Sequence, residues 1–196
     1  MIELSEISKA EAARYMGIRT VPDMQTAKLL DKWEMIVRNR LRPAYVYREV
    51  DMEFTAEGIR LDGLDVPLTG RSISKLLNGC KRAVVLAATV SSEADRLIRE
   101  TSVTDMAATL AVDALCSAAI EQVCDKAELE IFGDMPEEQR TYRFSPGYGD
   151  LPLELQLNLL TYLNAQRRIG LSCTESYLLT PTKSVTAIIG IKTVRE

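Results

Sequence analysis

The chain of 196 residues carries 24 Lys+Arg against 28 Asp+Glu, a formal net charge of −4, with 46% hydrophobic and 27% charged residues. That length fits one domain, and the composition is that of a soluble globular chain rather than a disordered one. The acidic balance, with a pI near 5.1, excludes nucleic acid as the main partner, because phosphate binding needs a basic face. Histidine is absent altogether. This rules out a Ser-His-Asp triad, a histidine general base, His-ligated zinc or haem, and an imidazole ligand to cobalt.

In chain order, a helix is predicted from Ser8 to Met16, ended by Gly17, and Pro22-Asp23 opens a second. On the second, Met24, Ala27, Leu30, Ile36 and Val37 share a face, and Arg38, Arg40 and Arg42 suit the negative end of the helix dipole. From Pro43 the period changes to two. Tyr45 and Tyr47 alternate, then Val50, Met52 and Phe54 alternate on a shifted register, which predicts a bulge at Arg48-Glu49. Glu57-Gly58 reads as a turn into a short strand over residues 59–61, followed by a loop through Pro67 and Gly70. Ser72 is placed to cap a short helix closed by Asn78-Gly79.

Residues 83–89 form an apolar run between breakers, the pattern of a buried strand. Ser91 or Ser92 starts another helix, and a long alanine-rich helix is predicted from Asp105 to about Glu130. After a loop around Gly133 and Pro136, residues 153–167 read as one amphipathic helix ended by Gly170. Residues 184–191 close the pattern as a strand. Helices and strands mix without regular alternation, which predicts an α+β domain of antiparallel strands flanked by helices, spanning 1–196.

The cysteines, Cys80, Cys116, Cys124 and Cys173, form no C-x-x-C pair. Cys116 and Cys124 fall near one helix face as small buried hydrophobes. The first residues lack a basic region followed by an apolar core, so no signal peptide is expected. The longest apolar run, at 83–88, is too short to cross a bilayer. A reduced cytoplasmic location, away from membranes, is the expectation.

The densest unusual segment is Arg143-Phe144-Ser145-Pro146-Gly147-Tyr148-Gly149-Asp150-Leu151-Pro152. Two glycines and two prolines specify a rigid loop whose backbone can approach a ligand. Arg143 offers a planar fork to a carboxylate, and Tyr148 a ring with a polar tip. The bland alternative is a structured turn leading into a helix. Gly147-x-Gly149 lacks the third glycine of a dinucleotide fingerprint.

Arg143-x-x-x-Gly147-Tyr148, with Pro152 four residues on, resembles the S-adenosylmethionine-binding loop of the activation domain of cobalamin-dependent methionine synthase. Leu171-Ser172-Cys173-Thr174-Glu175-Ser176, then Pro181 and Lys183-Ser184-Val185, is similar to a second stretch of that domain. The helix around Ala119 to Asp125 resembles its acidic, alanine-rich helix. The resemblance implies a module that binds S-adenosylmethionine and supports reductive methylation of oxidised cobalamin, with the electron coming from a flavodoxin-type donor. It implies action in trans on a cobalamin-dependent methionine synthase or related corrinoid protein. The cobalamin stays on that partner, since this chain has no Asp-x-His-x-x-Gly.

Under the same resemblance, Arg143 pairs with the ligand carboxylate, Ser145, Gly147 and Tyr148 contact the ligand, and Glu121 takes its ammonium. Lys183 and Ser184 line the cleft, and no residue is assigned as catalytic or metal-binding. The family's C-terminal tyrosine segment has no counterpart before Glu196, leaving Tyr142 or Tyr177 as substitutes. Two alternatives stand: an S-adenosylmethionine-dependent methyltransferase for another acceptor, and a ligand-free interaction module for a corrinoid protein.

Overall fold

The computed structural model describes residues 3–192. Four antiparallel strands form the central sheet in the order β2-β1-β3-β6. They are β1 (Ala44–Thr55), β2 (Gly58–Leu61), β3 (Cys80–Thr89) and β6 (Ser184–Lys192). Strands β4 (Ser172–Cys173) and β5 (Leu179–Thr180) make a separate two-stranded ribbon. The architecture is α+β, as the mixed pattern predicts.

β3 is the hub, and its residues 83–89 are buried on both faces. Ala83, Val85 and Ala87 join a core with α3 (Arg71–Leu76), α6 (Leu155–Leu163) and α7 (Ala165–Ile169). Ala88 faces the opposite core, built by α1 (Lys9–Tyr15), α2 (Met24–Arg40), α4 (Glu93–Ser102) and α5 (Met106–Phe132). An uninterrupted apolar strand is what a sheet covered on both sides requires.

Several starts follow their caps. Ser8 accepts from Glu11 N–H, Asp23 from Thr26 N–H, and Asp105 from Ala107 and Ala108 N–H. α5 is long and apolar enough by length and composition to cross a bilayer, a feature the run at 83–88 overlooks. It is a core helix, with Ala111, Leu115, Ala118 and Ala119 buried against its neighbours. Cys116 and Cys124 are fully buried on it, as their spacing predicts.

Four details depart from the sequence-based expectation. β1 has no bulge: its register with β3 runs unbroken from Ala44↔Thr89 to Asp51↔Arg82. Val46, Val50 and Met52 lie on one face throughout, and Arg48, the polar member of that series, stacks over Tyr162 at 4.8 Å. The register shift sits instead on β3, between Cys80 and Arg82. Met24, the first residue of α2, is exposed rather than on the buried face. The helix over 153–167 is two helices, divided at Asn164, which adopts left-handed backbone. Asparagine tolerates that conformation well.

Candidate functional site

The fourth departure builds the site. Gly70, not Ser72, is the N-cap of α3, and it brings no side chain to bond the free N–H groups of the first turn. The cap comes from across the fold. The Asp150 carboxylate accepts from Arg71 N–H at 2.6 Å and Ser72 N–H at 2.9 Å. These two N–H bonds hold the Asp150 carboxyl at about 2, below its ordinary 3.8. The approach needs glycine on both sides: a Cβ on Gly70 would stand 2.9 Å from the Asp150 carbonyl oxygen, and one on Gly149 only 2.7 Å from Ser72 Oγ.

The segment before this clamp runs along the outer edge of β6. Phe144 and Ile188 exchange backbone bonds of 3.0 and 2.8 Å, and Thr141 N–H donates to Gly190 at 2.9 Å. The chain then turns over Ser145-Pro146-Gly147-Tyr148, with Tyr148 N–H donating to the Ser145 carbonyl at 3.1 Å and Gly147 at φ 87°. Proline second and a positive-φ glycine third is the signature of a type II turn. The turn therefore consumes backbone groups that the sequence-based expectation left for a ligand. Ser145 keeps its own N–H and hydroxyl without a partner among the described residues. Tyr142 and Tyr148 stand exposed on either side of buried Phe144, with ring centroids 6.4 and 6.3 Å from it.

Alternation along this edge aims Arg143 at α5. Its guanidinium donates to Glu121 at 2.9 Å, Asp125 at 2.9 Å and Glu128 at 2.5 Å. Residues i, i+4 and i+7 share one helix face, so the three carboxylates form a row. Arg140 reaches the second Glu128 oxygen at 3.4 Å. Burial works against the Arg143 charge, but the carboxylates outweigh it and raise its pKa further. Three carboxylates against two guanidiniums leave the cluster at +2 − 3 = −1.

Arg143 and Glu121, expected to hold the carboxylate and the ammonium of one ligand, contact each other directly in this structure. Asp125 and Glu128 were missed, although the i, i+4, i+7 spacing was the signal available. Lys183 meets the same helix face one turn earlier, at 2.8 Å from both Asp113 and Ser117. Ser184 turns into the sheet and donates to Thr89 at 2.8 Å. Tyr142 borders a small concavity of about 360 Å³ with Arg143, Asp125 and Glu128, whereas Tyr177 sits in the turn between β4 and β5. Burial, then the negative charges of Glu121 and Glu11, raises the phenol pKa of Tyr15 at the end of α1.

No protein-family model and no curated protein matches the chain. Among solved structures, it is similar to the crystal structure of the MetH reactivation domain bound to AdoHcy. The TM-score is 0.66 at 17% identity, covering 98% of this chain and 69% of that one. The chain thus has the fold of a methionine synthase reactivation domain, from its first helix to its last strand.

Proposed function

We propose that the chain binds S-adenosylmethionine beside Arg143 and reactivates a cobalamin-dependent methionine synthase, or a related corrinoid protein, in trans. The observation that carries this reading is the cluster of Arg143 with Glu121, Asp125 and Glu128, set in a fold whose solved neighbour holds AdoHcy.

The ligand's chemistry fits these residues. S-adenosylmethionine carries an ammonium, a sulfonium and a carboxylate, so its net charge of about +1 complements a cluster of −1. Glu121 and Asp125 are 43% and 70% exposed against 16% for Glu128. The two outer acids are therefore free to exchange: the ligand carboxylate displaces one of them from Arg143, and the released acid accepts the ammonium. Ser145 N–H and Oγ supply further polar contacts, and Tyr148 shelters the sulfonium.

In the reaction proposed, one electron from a flavodoxin-type donor reduces cob(II)alamin on the partner. The methyl group leaves the sulfonium for cobalt, giving methylcobalamin and S-adenosylhomocysteine. The chain's residues hold the donor methyl in position, and the corrin stays with the partner, in the cytoplasm. The test is reconstitution: an oxidised synthase lacking its own reactivation domain is mixed with this protein, S-adenosylmethionine and a low-potential reductant. The methylcobalamin spectrum should return only with all components present. Recovery at the same rate without this protein contradicts the reading, and methylation of a non-corrinoid acceptor supports the methyltransferase alternative.

A further inference from the structure

The other edge of the sheet borders a concavity of about 1230 Å³, above the roughly 300–1,000 Å³ of ordinary small-molecule pockets. Its floor is an open strand edge. β1 pairs with β3 over residues 44–51, but on its other side β2 covers only Met52–Thr55. Among the described residues no backbone or side-chain bond reaches the outer edge over residues 44–50. No bulge interrupts that edge, and of the devices that protect such an edge it carries Pro43 at its start and the charges of Arg48 and Glu49.

Helices wall the slot on both faces. On one side stand Lys126 and Glu130 of α5, above the stacked rings of Tyr45 and Tyr47, whose centroids are 6.3 Å apart. On the other stand Tyr162 of α6 and Arg168 of α7. Charge is uneven between the walls. Lys126 is engaged by the Glu3 carbonyl at 2.6 Å, and Glu49 by Arg82. Arg48 and Arg168 have no ion-pair partner among the described residues, and the acid on their wall is Asp62.

We propose that this edge takes an extended segment of an acidic partner protein by strand addition, with a carboxylate of that segment held between Arg48 and Arg168. Main-chain bonds to the open edge supply affinity, and alternate side chains supply specificity. The slot lies across the sheet from Arg143, which meets the β6 edge, so occupancy is independent of S-adenosylmethionine.

The probes are the peptide acetyl-Thr-Glu-Val-Glu-Thr-Glu-Val-amide, its counterpart with lysine for each glutamate, and an acidic version N-methylated at alternate residues. Binding to the full chain is read by NMR shifts and amide exchange. The acidic peptide should protect amides within residues 44–50. The lysine peptide should bind at least about tenfold more weakly, as should the N-methylated one. Arg48→Glu with Arg168→Glu should invert the charge preference. If that variant does not fold, the peptide comparisons on the unaltered chain decide. Equal binding of acidic and lysine peptides overturns the proposal. So does the absence of protection at 44–50, or protection that rises with protein concentration alone, which would assign the edge to a second copy of the chain.

Discussion

Arg143 and Glu128 meet at 2.5 Å, and the other oxygen of Glu128 faces Arg140 at 3.4 Å, so one largely buried carboxylate serves two guanidiniums. Glu128→Gln keeps the shape but leaves both cations less neutralised. Bonds to charged groups are worth about 1.5–3 kcal/mol, and partial exposure trims this toward the lower end. At about 2–4 °C per kcal/mol for a chain of this size, the melting temperature should fall by several degrees. Glu121→Gln, at a more exposed site, should cost under about 1 kcal/mol. Chemical denaturation of both variants checks the ordering, and equal losses contradict it.

Asp125 is the outermost acid of the row, 70% exposed. Asp125→Asn should leave stability within about 0.5 kcal/mol of the parent. It should weaken S-adenosylmethionine binding by roughly two- to fivefold and S-adenosylhomocysteine binding by less, because the latter keeps the ammonium but lacks the sulfonium charge, and the difference should shrink at high salt. Calorimetry with both ligands at two ionic strengths measures this.

Asp150 links the site loop to α3 and is held near pH 2 in the folded chain, below its ordinary 3.8. A carboxyl depressed by folding stabilises the native state above the higher value, and that contribution is lost as pH falls through the lower. The stability of the parent should therefore decline between about pH 4 and 2 more steeply than that of Asp150→Asn. Denaturation profiles across that window decide, and superimposable slopes would remove the cap from the account.

Burial pushes the Cys116 and Cys124 thiols up to about 12. Thiolates are the reactive species, so both should resist iodoacetamide at pH 8 until the chain is unfolded. Cys173, which is only part-buried, should label first. Peptide mass mapping of the alkylated native protein identifies the modified residue. Replacing both helix cysteines with alanine should lower stability through lost packing without abolishing ligand binding.

How much of this was legible depends on whether a signal was local. Ser8, Asp23 and Asp105 announce helix starts because a cap is read within three residues. The α3 cap was invisible for the opposite reason: its donors and acceptor are 78 and 79 residues apart. Arg48 looked like a register break because its stacking partner, Tyr162, belongs to a distant helix. The break at Asn164 was masked by apolar spacing that continues through it, from Leu160 and Leu163 to Ala165. At the site, the loop motif pointed to Arg143 and the helix resemblance to Glu121. Their contact, and the role of Asp125 and Glu128, needed the edge pairing of 140–144 with β6.

The most direct test is calorimetric titration of the parent chain and Arg143→Ala with S-adenosylmethionine and with an analogue lacking the carboxylate. Arg143→Ala removes a charge-assisted pair worth about 1.5–3 kcal/mol, so affinity for S-adenosylmethionine should fall roughly 10- to 100-fold. The analogue should be hardly affected. Arg143→Lys keeps charge but not the planar fork and should recover only part of the loss. Equal losses for both ligands, or no binding of S-adenosylmethionine to the parent chain, would contradict the account.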